Sequence, residues 1–312
     1  MYYNIHDLVK IQINGDFKLK PLDMEFEYFR TDEDIIPDIV VNIGNFKPSN
    51  DKCFLIDNEY YVKEYYFYHK DMDWEVEIEG FEKGNTIVNY NEHMFTKFKY
   101  PSCPLTDHII LPIIQSMLLK KGYYLTHCAG IGNILIVGHP HSFKTTIAMR
   151  LAQMKFVCLG EKEKYDIFGD DYVILKGKNM LSFPRFPSVF QYRVENKYTE
   201  DLNLFDKVRI RLSKGEYNVR DKSKIKKVVF LERVNYNCFD VINITHNEAR
   251  KRIIKNQELE DAYSMFSRYK TIYKSIFPTK EIKPRISRIP SILIMFSEDN
   301  IDKVVKYVDG LL

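Results

Sequence analysis

The first third of the chain carries short apolar runs in which hydrophobic and polar residues partly alternate. The runs are rich in Val, Ile, Tyr and Phe, and Gly, Asn or Asp residues separate them, as is typical of strands joined by turns. The clearest runs read YNIHDLVKIQI, DIVVNIG, CFLIDNEYYVKEYYF, WEVEIEGF and NTIVNY. This pattern predicts a β-rich N-terminal lobe over residues 1–104, with mostly antiparallel strands.

The pattern changes after KYPSCPLTD (residues 99–107), where two prolines mark a domain boundary. Longer helix-and-strand units follow, beginning with a helix that Thr106 or Asp107 can cap and that runs to about Lys121. YYLTHCAGI and NILIVG predict buried strands, residues 144–154 a helix, YVILKGKNMLSF a hairpin, and KIKKVVFLERV a strand. SILIMF and IDKVVKYVDGLL predict a closing strand and helix. Residues 105–312 therefore predict a second domain, and the chain as a whole the α/β class with a mixed sheet.

Composition excludes several classes of function. The net charge of +3 is nearly neutral and does not indicate a nucleic-acid-binding protein. The five cysteines are scattered without a CxxC pair, which argues against a disulfide framework or a zinc site. The most apolar stretch, HIILPIIQSMLL, is too short to span a bilayer, and the N-terminus lacks a signal-peptide pattern. We therefore expect a reduced, cytoplasmic protein that binds neither membrane nor nucleic acid.

The segment VGHPHSFKTT (residues 137–146) is close to a phosphate-binding P-loop. That motif reads Gly, four residues, Gly, Lys and Ser or Thr, between a strand and a helix whose N-terminal N–H groups and dipole bind phosphate. Lys144 would reach the β- and γ-phosphates, and Thr145 would bind Mg²⁺. The predicted nucleotide-binding residues are Gly138, His139, Pro140, His141, Ser142, Phe143, Lys144, Thr145 and Thr146.

Phe143 departs from the motif because it stands where the second glycine is expected. Phenylalanine is costly at a backbone position that needs positive φ or that presses against a phosphate. Since the rest of the loop is intact, we expect Phe143 to adopt a helical backbone conformation at the start of the helix. Its ring should turn away from the phosphates, near Ile147 or into the wall of the nucleotide pocket. A ring in the β-phosphate position would instead close the site.

A pair of acids in FGDDYVIL supplies the second candidate feature. Asp170 and Asp171 precede an apolar strand, where two carboxylates are costly unless a cation or a proton-transfer role compensates. A magnesium nucleotide needs a carboxylate near its metal, and phosphoryl transfer to a hydroxyl needs a base. An ordinary turn is the alternative for the pair alone. Together with the loop, the pair indicates a phosphotransferase site.

The order THCAG, strand, GHPHSFKTT, helix, GDDYVIL and FPRFPSVF resembles the HPr kinase/phosphorylase-related kinases. Those kinases share a P-loop core with ATP-dependent phosphoenolpyruvate carboxykinases. The resemblance covers roughly residues 127–190, is weaker in KKVVFLER and in the closing strand and helix, and implies a P-loop kinase-like domain over residues 105–312. It implies that Asp171 is the base that deprotonates an acceptor serine and that Asp170 lies near the metal and the phosphates. It also implies the P-loop roles of Lys144 and Thr145.

The resemblance adds His127, which matches a histidine before the P-loop strand of the family; a hydrogen-bonded core histidine is the alternative. Arg185, between Pro184 and Pro187, is a candidate contact for substrate or phosphate, with an ordinary surface arginine as the alternative.

The insertion GEKEKYDIF lengthens the span before Asp170. Neither the Arg-Gly segment nor the phosphorolysis loop of the bifunctional enzymes is recognisable. These departures weigh against phosphorylase activity and against HPr as the substrate.

The sequence thus predicts a kinase that uses ATP, or another nucleoside triphosphate, with Mg²⁺. The acceptor is expected to be a hydroxyl, with serine of a peptide or carrier protein favoured alongside a small molecule. The alternative is a nucleotide-sensing regulatory or scaffold module that has lost transfer, with Phe143 as the disabling change. The intact Lys144–Thr145 pair together with Asp170 and Asp171 favours the enzyme, because an inactive module has no need of the base. The oligomeric state, a homo-oligomer included, is left open.

Overall fold

A computed structural model describes residues 1–15, 26–71, 73–81, 83–92, 105–152, 165–185, 188–190, 207–209, 218–262, 265–277 and 287–312. Their architecture is mixed α/β, with mixed sheets and more strands than helices. They form two compact units, Met1–Lys121 with Asp261–Lys283 and Gly122–Glu260 with Pro284–Leu312. The predicted boundary between residues 104 and 105 differs from this division. A late segment of the chain returns to the first unit, which a linear reading of the sequence cannot detect.

In the described part of the first unit, nine strands form one sheet, in the order β3-β1-β2-β4-β9-β8-β7-β6-β5. They are β1 (Tyr2–Ile5), β2 (Val9–Gly15), β3 (Arg30–Thr31), β4 (Ile39–Ile43), β5 (Phe54–Ile56), β6 (Tyr60–Lys63), β7 (Tyr66–Lys70), β8 (Trp74–Glu79) and β9 (Thr86–Glu92). The pairs β2–β4 and β4–β9 are parallel, whereas the other neighbours are antiparallel. The expected β-rich lobe is present, but the middle of its sheet is parallel.

The helical segments in the described residues are mostly short. The α-helices are α1 (Leu111–Lys120), α2 (Lys144–Leu151), α3 (His246–Ala262), α4 (Met265–Ile276) and α5 (Ile301–Asp309), and short 3-10 helices cover Glu27–Phe29 and Glu298–Asn300. A π-helical stretch, Leu105–Ile110, leads into α1. Thr106 and Asp107 therefore lie inside a helical segment rather than at its N-cap, because that segment already includes Leu105. Among the helices described, none is both long and apolar enough to cross a membrane.

The two faces of the first sheet differ in chemistry. Alternate residues of β2 and β4, such as Ile11 and Val41, are fully buried. On these and neighbouring strands, polar side chains form a hydrogen-bonded row that we call the amide ladder, made of Gln12, Asn14, Asn42, Asn89 and Glu77. Its four links measure 3.0, 3.0, 2.8 and 2.8 Å in that order. The period of two along each strand separates the apolar core from this polar row.

The described strands of the second unit form three sheets. They are β10 (Tyr124–His127), β11 (Ala129–Ile131), β12 (Ile134–Gly138), β13 (Ile167–Gly169), β14 (Tyr172–Lys176), β15 (Asn179–Phe183), β16 (Ser188–Phe190), β17 (Lys207–Arg209), β18 (Lys222–Lys224), β19 (Lys227–Arg233), β20 (Phe239–Ile244) and β21 (Ser291–Phe296). The sheets have the orders β10-β14-β15-β18, β13-β11-β12-β19-β21-β20 and β16-β17. The strands predicted for this unit, the hairpin and the closing strand correspond to strands of these sheets, and the closing helix corresponds to α5.

The six-stranded sheet positions the candidate site. Its strands β12, β19 and β21 are parallel neighbours, so the loops that follow them lie at one edge of the sheet. Ile136 of β12, Ile147 of α2 and Val304 of α5 belong to one buried apolar cluster. This packing fixes α2 against the sheet and brings its N-terminus to the same edge, directly after the loop that follows β12.

Candidate functional site

The loop between β12 and α2 spans residues 139–143 and has tight backbone geometry. Gly138 ends the strand, and a Cβ at that position would lie 2.4 Å from Ser142 Oγ and 2.9 Å from the Leu231 carbonyl oxygen. Only glycine therefore fits at Gly138. The buried Lys144 side chain turns back over the loop, and its Nζ donates to the carbonyl oxygens of Gly138 at 2.7 Å and His139 at 3.3 Å. The strand, loop and helix expected from the sequence are all present.

Phe143 corrects one expectation. Its backbone is left-handed, with φ 64° and ψ 19°, rather than helical. A loop of this shape requires positive φ immediately before the helix, which explains why glycine is usual there and why phenylalanine is strained. The ring does pack against the apolar cluster that contains Ile147, with its centroid 6.5 Å from that of Phe296. The side chain therefore joins the core while the backbone keeps a conformation typical of glycine.

The other loop residues differ in exposure. His139, Pro140 and His141 are exposed, whereas Thr145 and Thr146 are partly buried in the first turn of α2. Although His139 is exposed, partial desolvation of its ring lowers the pKa of His139 below its ordinary value, and the charge of Lys255 lowers it further. Neutral histidine can donate one hydrogen bond without adding charge to the loop. Lys144 therefore supplies more positive charge to this loop than His139 does.

The buried Ser142 adds an unsatisfied polar atom. The residue is 4% exposed, and its Oγ has no hydrogen-bond partner among the described residues. Buried hydroxyls are nearly always paired, so an orphaned one indicates a partner that the protein alone does not supply. A ligand oxygen or a water molecule in the loop would satisfy it.

The two acids lie directly after β13 and have different environments. Asp170 is 4% exposed, and its pKa is raised to about 7 by burial first and by the neighbouring charge of Asp171 second. The positive charges of Arg185 and Lys144 oppose this rise. Burial therefore favours the protonated form of Asp170, and a nearby cation would favour its ionised form.

Asp171 is more accessible than Asp170, with a side chain 41% exposed. Its Oδ2 accepts a hydrogen bond from Arg185 Nη1 at 3.3 Å, and its Oδ1 lies 3.6 Å from His127 Nε2. The guanidinium of Arg185 also lies 5.5 Å from the ring centroid of Tyr172 and is buried. Both carboxylate oxygens keep further lone pairs for a hydroxyl proton. This arrangement suits a general base held in place by neighbours.

His127 ends β10 and is held by two side chains of α3. The backbone N–H of His127 donates to Gln257 Oε1 at 3.0 Å, and its backbone carbonyl oxygen accepts from Asn256 Nδ2 at 2.7 Å. Burial lowers the pKa of His127 to about 4, against the opposing effect of Asp171. The imidazole is therefore neutral at pH 7, and its contact with Asp171 is not an ion pair. Asn256 and Gln257 were missed in the sequence because a polar pair in a charged helix carries no motif.

The structure thus brings together five residues that the sequence proposed from separate segments. They are His127, Lys144, Asp170, Asp171 and Arg185. Pro187 and the first half of the charged insertion before Asp170 lie outside the described residues. Within the described part of the chain, no group of three or more His, Cys, Asp or Glu side chains is arranged to hold a metal ion.

A cavity of about 600 Å³ adjoins the loop. It is lined by residues 139–142 of the loop, residues 231–237 at and after the end of β19, and residues 297–299 after β21. The sequence placed the strands that lead to these walls but gave no sign that they are neighbours.

No known protein-family model matches the chain, and a search of the curated proteins finds no match either. Function must therefore be inferred from the site itself.

Proposed function

We propose that this protein is a Mg²⁺·ATP-dependent phosphotransferase with a P-loop kinase core of the HPr kinase type. Its acceptor would be a hydroxyl, with serine of a peptide or carrier protein, or a small molecule, as the acceptor classes. One observation supports this above all: Lys144 of the loop, the buried Asp170 and the accessible Asp171 converge at the ends of strands in one unit. Such a combination serves phosphoryl transfer, which needs charge stabilisation and a base but little covalent chemistry.

The loop would bind the phosphates. The first N–H groups of α2 have no partners within the helix and carry its positive dipole end, so they suit phosphate oxygens. Lys144, now bonded to two loop carbonyl groups, would exchange those bonds for charge-assisted bonds to the phosphates. The unsatisfied Ser142 hydroxyl would gain an acceptor there. The loop therefore has donors ready for a triphosphate.

Thr145 and Asp170 would hold the magnesium ion. Mg²⁺ at a nucleotide uses one or two protein ligands together with phosphate oxygens and waters, so two oxygen ligands suffice. The fit rests on Asp170, whose buried carboxyl has a pKa raised to about 7 and would be stabilised in its ionised form by a cation. When bound, the ion would neutralise charge that develops on the transferred phosphoryl group.

Asp171 would accept the proton of the acceptor hydroxyl. It is the exposed member of the pair and can reach a bound acceptor, whereas Asp170 is buried. Arg185 holds its Oδ2 and the neutral His127 lies beside its Oδ1. Arg185 would thus position the base and would contact a transferred phosphoryl group.

A nucleotide-sensing module without transfer activity is the second candidate. The observation that favours it is Phe143, which occupies a left-handed position at the loop and departs from the motif. The ring packs into the core, however, and Asp171 retains the environment of a base. Turnover distinguishes the two candidates.

The test compares Asp171→Asn with Asp166→Asn, which removes another arginine-paired carboxylate from the same unit. We expect Asp171→Asn to lower turnover of Mg²⁺·ATP by about 10²–10⁴-fold, because a general base typically contributes that much. Phosphate transfer to serine-containing peptides and to water is measured, together with the dissociation constant for ATP, which should stay nearly unchanged. Asp166→Asn should behave as wild type. Binding of ATP without turnover by the wild-type protein would favour the sensor.

A further inference from the structure

The steps of phosphoryl transfer proposed above do not use the cavity beside the loop. Its position relative to the sheet indicates a separate role. The acids follow β13 at one edge of the order β13-β11-β12-β19-β21-β20, and the loop follows β12 in the middle. The cavity lies beyond the loop, after β19 and β21. A triphosphate that runs across the loop therefore has the acids at one end and the cavity at the other.

The far walls of the cavity are joined by a buried asparagine. Asn300 Nδ2 lies within hydrogen-bond distance of Asn237 Oδ1 at 2.9 Å, the Cys238 carbonyl oxygen at 3.0 Å and Ser297 Oγ at 2.8 Å. The first two acceptors belong to the segment after β19, and Ser297 belongs to the segment after β21. The two walls are therefore fixed relative to each other before any ligand arrives, as is usual for small-molecule sites.

A second set of contacts links the cavity to the unusual loop residue. Arg233 Nη2 donates to Glu298 Oε2 at 2.6 Å, and the guanidinium carbon lies 5.2 Å from the Phe143 ring centroid. Phe143 thus supports an arginine that lines the cavity, through a contact between a cation and an aromatic ring. The departure from the P-loop motif therefore gives Arg233, a residue of the cavity lining, a ring contact that a glycine could not supply.

The lining suits a neutral group with an aromatic ring and hydroxyls. Tyr236 is 58% exposed and offers a ring face for stacking, and Asn235 adds an amide. The charge of Arg233 is paired with Glu298, and Asp299 adds a carboxylate that can accept hydrogen bonds from ribose hydroxyls. A second anion, such as an acidic acceptor peptide, is disfavoured by these carboxylates.

We propose that the cavity binds the nucleoside moiety, base and ribose, of the nucleoside triphosphate whose phosphates occupy the loop. This inference rests on the proposed function. The cavity has a volume of about 600 Å³, which lies within the range of small-molecule sites. The Tyr236 ring would stack on the base, and the site would distinguish a nucleoside triphosphate from its phosphates alone.

The experiment compares the affinities of ATP and inorganic tripolyphosphate, each with Mg²⁺, for four proteins. These are the wild type, Tyr236→Ala, Tyr236→Phe and the control Tyr28→Ala, which removes an exposed tyrosine of the first unit. Tyr236→Ala should weaken ATP binding by about fivefold to a hundredfold, the equivalent of one base stacked on an aromatic ring, and leave tripolyphosphate unchanged. Tyr236→Phe keeps the ring and should bind ATP as the wild type does.

The outcomes separate this inference from the proposed function. If the wild type binds both probes equally well and Tyr236→Ala changes neither, the cavity does not hold the nucleoside, although the loop still binds phosphates. If Tyr236→Ala weakens both probes alike, the effect is not base stacking and the inference is wrong. If the wild type binds neither probe, the proposed function fails and the inference fails with it.

Discussion

The amide ladder lies on strands of the first unit and the acid pair lies between two strands of the second, and their polar groups differ in how far they are satisfied. In the ladder, each side chain from Gln12 to Glu77 donates to or accepts from the next, and Glu77 also accepts from Ser49 N and Tyr66 Oη at 2.6 and 2.8 Å. Beside the loop, Asp170 is buried with its pKa raised to about 7. Polar groups that satisfy one another stabilise a fold, whereas those that remain costly mark a place where a ligand or a reaction compensates.

The largest effect on stability is expected from breaking the ladder at Glu77. Glu77→Ala would leave the buried Tyr66 hydroxyl and the partly buried Asn89 amide without their acceptor, whereas the exposed Ser49 N–H can turn to water. Each such loss costs about 1–3 kcal/mol, so we expect a loss of roughly 2–4 kcal/mol in the free energy of unfolding after partial relaxation. Urea denaturation is the measurement. Glu79→Ala, at a half-buried position of the same strand, should change the free energy of unfolding by only about 0.5 kcal/mol. Similar losses at the two positions would show that the ladder does not stabilise the fold beyond an ordinary surface contact.

A substitution in the acid pair should raise the free energy of unfolding near neutral pH, in contrast to the loss expected for Glu77→Ala. The folded-state pKa of Asp170 is raised to about 7 from the ordinary 3.8, so the folded protein holds this proton where the unfolded chain has lost it. The contribution of Asp170 to wild-type stability therefore falls as pH rises from about 4 to 7, and Asp170→Asn should remove that contribution. The difference in unfolding free energy between variant and wild type should grow in favour of the variant across this window and level off above it. A difference that is constant from pH 4 to 8 would mean that burial does not raise the pKa of Asp170.

The smallest effect concerns the backbone at Phe143. Both Phe143→Gly and Phe143→Ala lose the packing on Phe296, but only glycine relieves the positive φ of 64°. We expect the glycine variant to be more stable than the alanine variant by about 1 kcal/mol. Thermal unfolding of the two variants side by side measures this. Alanine as the more stable of the two would indicate a helical backbone at this position.

Local features of the fold could be read from the sequence, because they depend on residues close in the chain. The strand NILIVG, the helix from Lys144 and the β14–β15 hairpin follow from periodicity and turn residues alone. The parallel centre of the first sheet and the return of α4 to the first unit depend on contacts between distant segments, which periodicity does not encode.

The candidate site divides in the same way. The loop and the acid pair could be proposed because their chemistry needs fixed spacing, and Arg185 was proposed from its place between Pro184 and Pro187. Asn256 and Gln257 were not found, since holding the backbone of His127 imposes no sequence pattern. The backbone of Phe143 was predicted wrongly, because the ease of a helical φ was weighed above the shape that the loop imposes.

The central claim is that the loop binds the phosphates of a nucleoside triphosphate, and calorimetric titration with Mg²⁺·ATP tests it most directly. The wild type and Lys144→Ala are compared, with Lys176→Ala as a control that removes an exposed lysine of the same unit. Lys144→Ala should bind ATP at least about tenfold to a hundredfold more weakly, because charge-assisted hydrogen bonds contribute about 1.5–3 kcal/mol. Its thermal unfolding should show an intact fold, and Lys176→Ala should bind as the wild type does. Equal ATP affinity for Lys144→Ala and the wild type, or no binding by the wild type, would contradict the account.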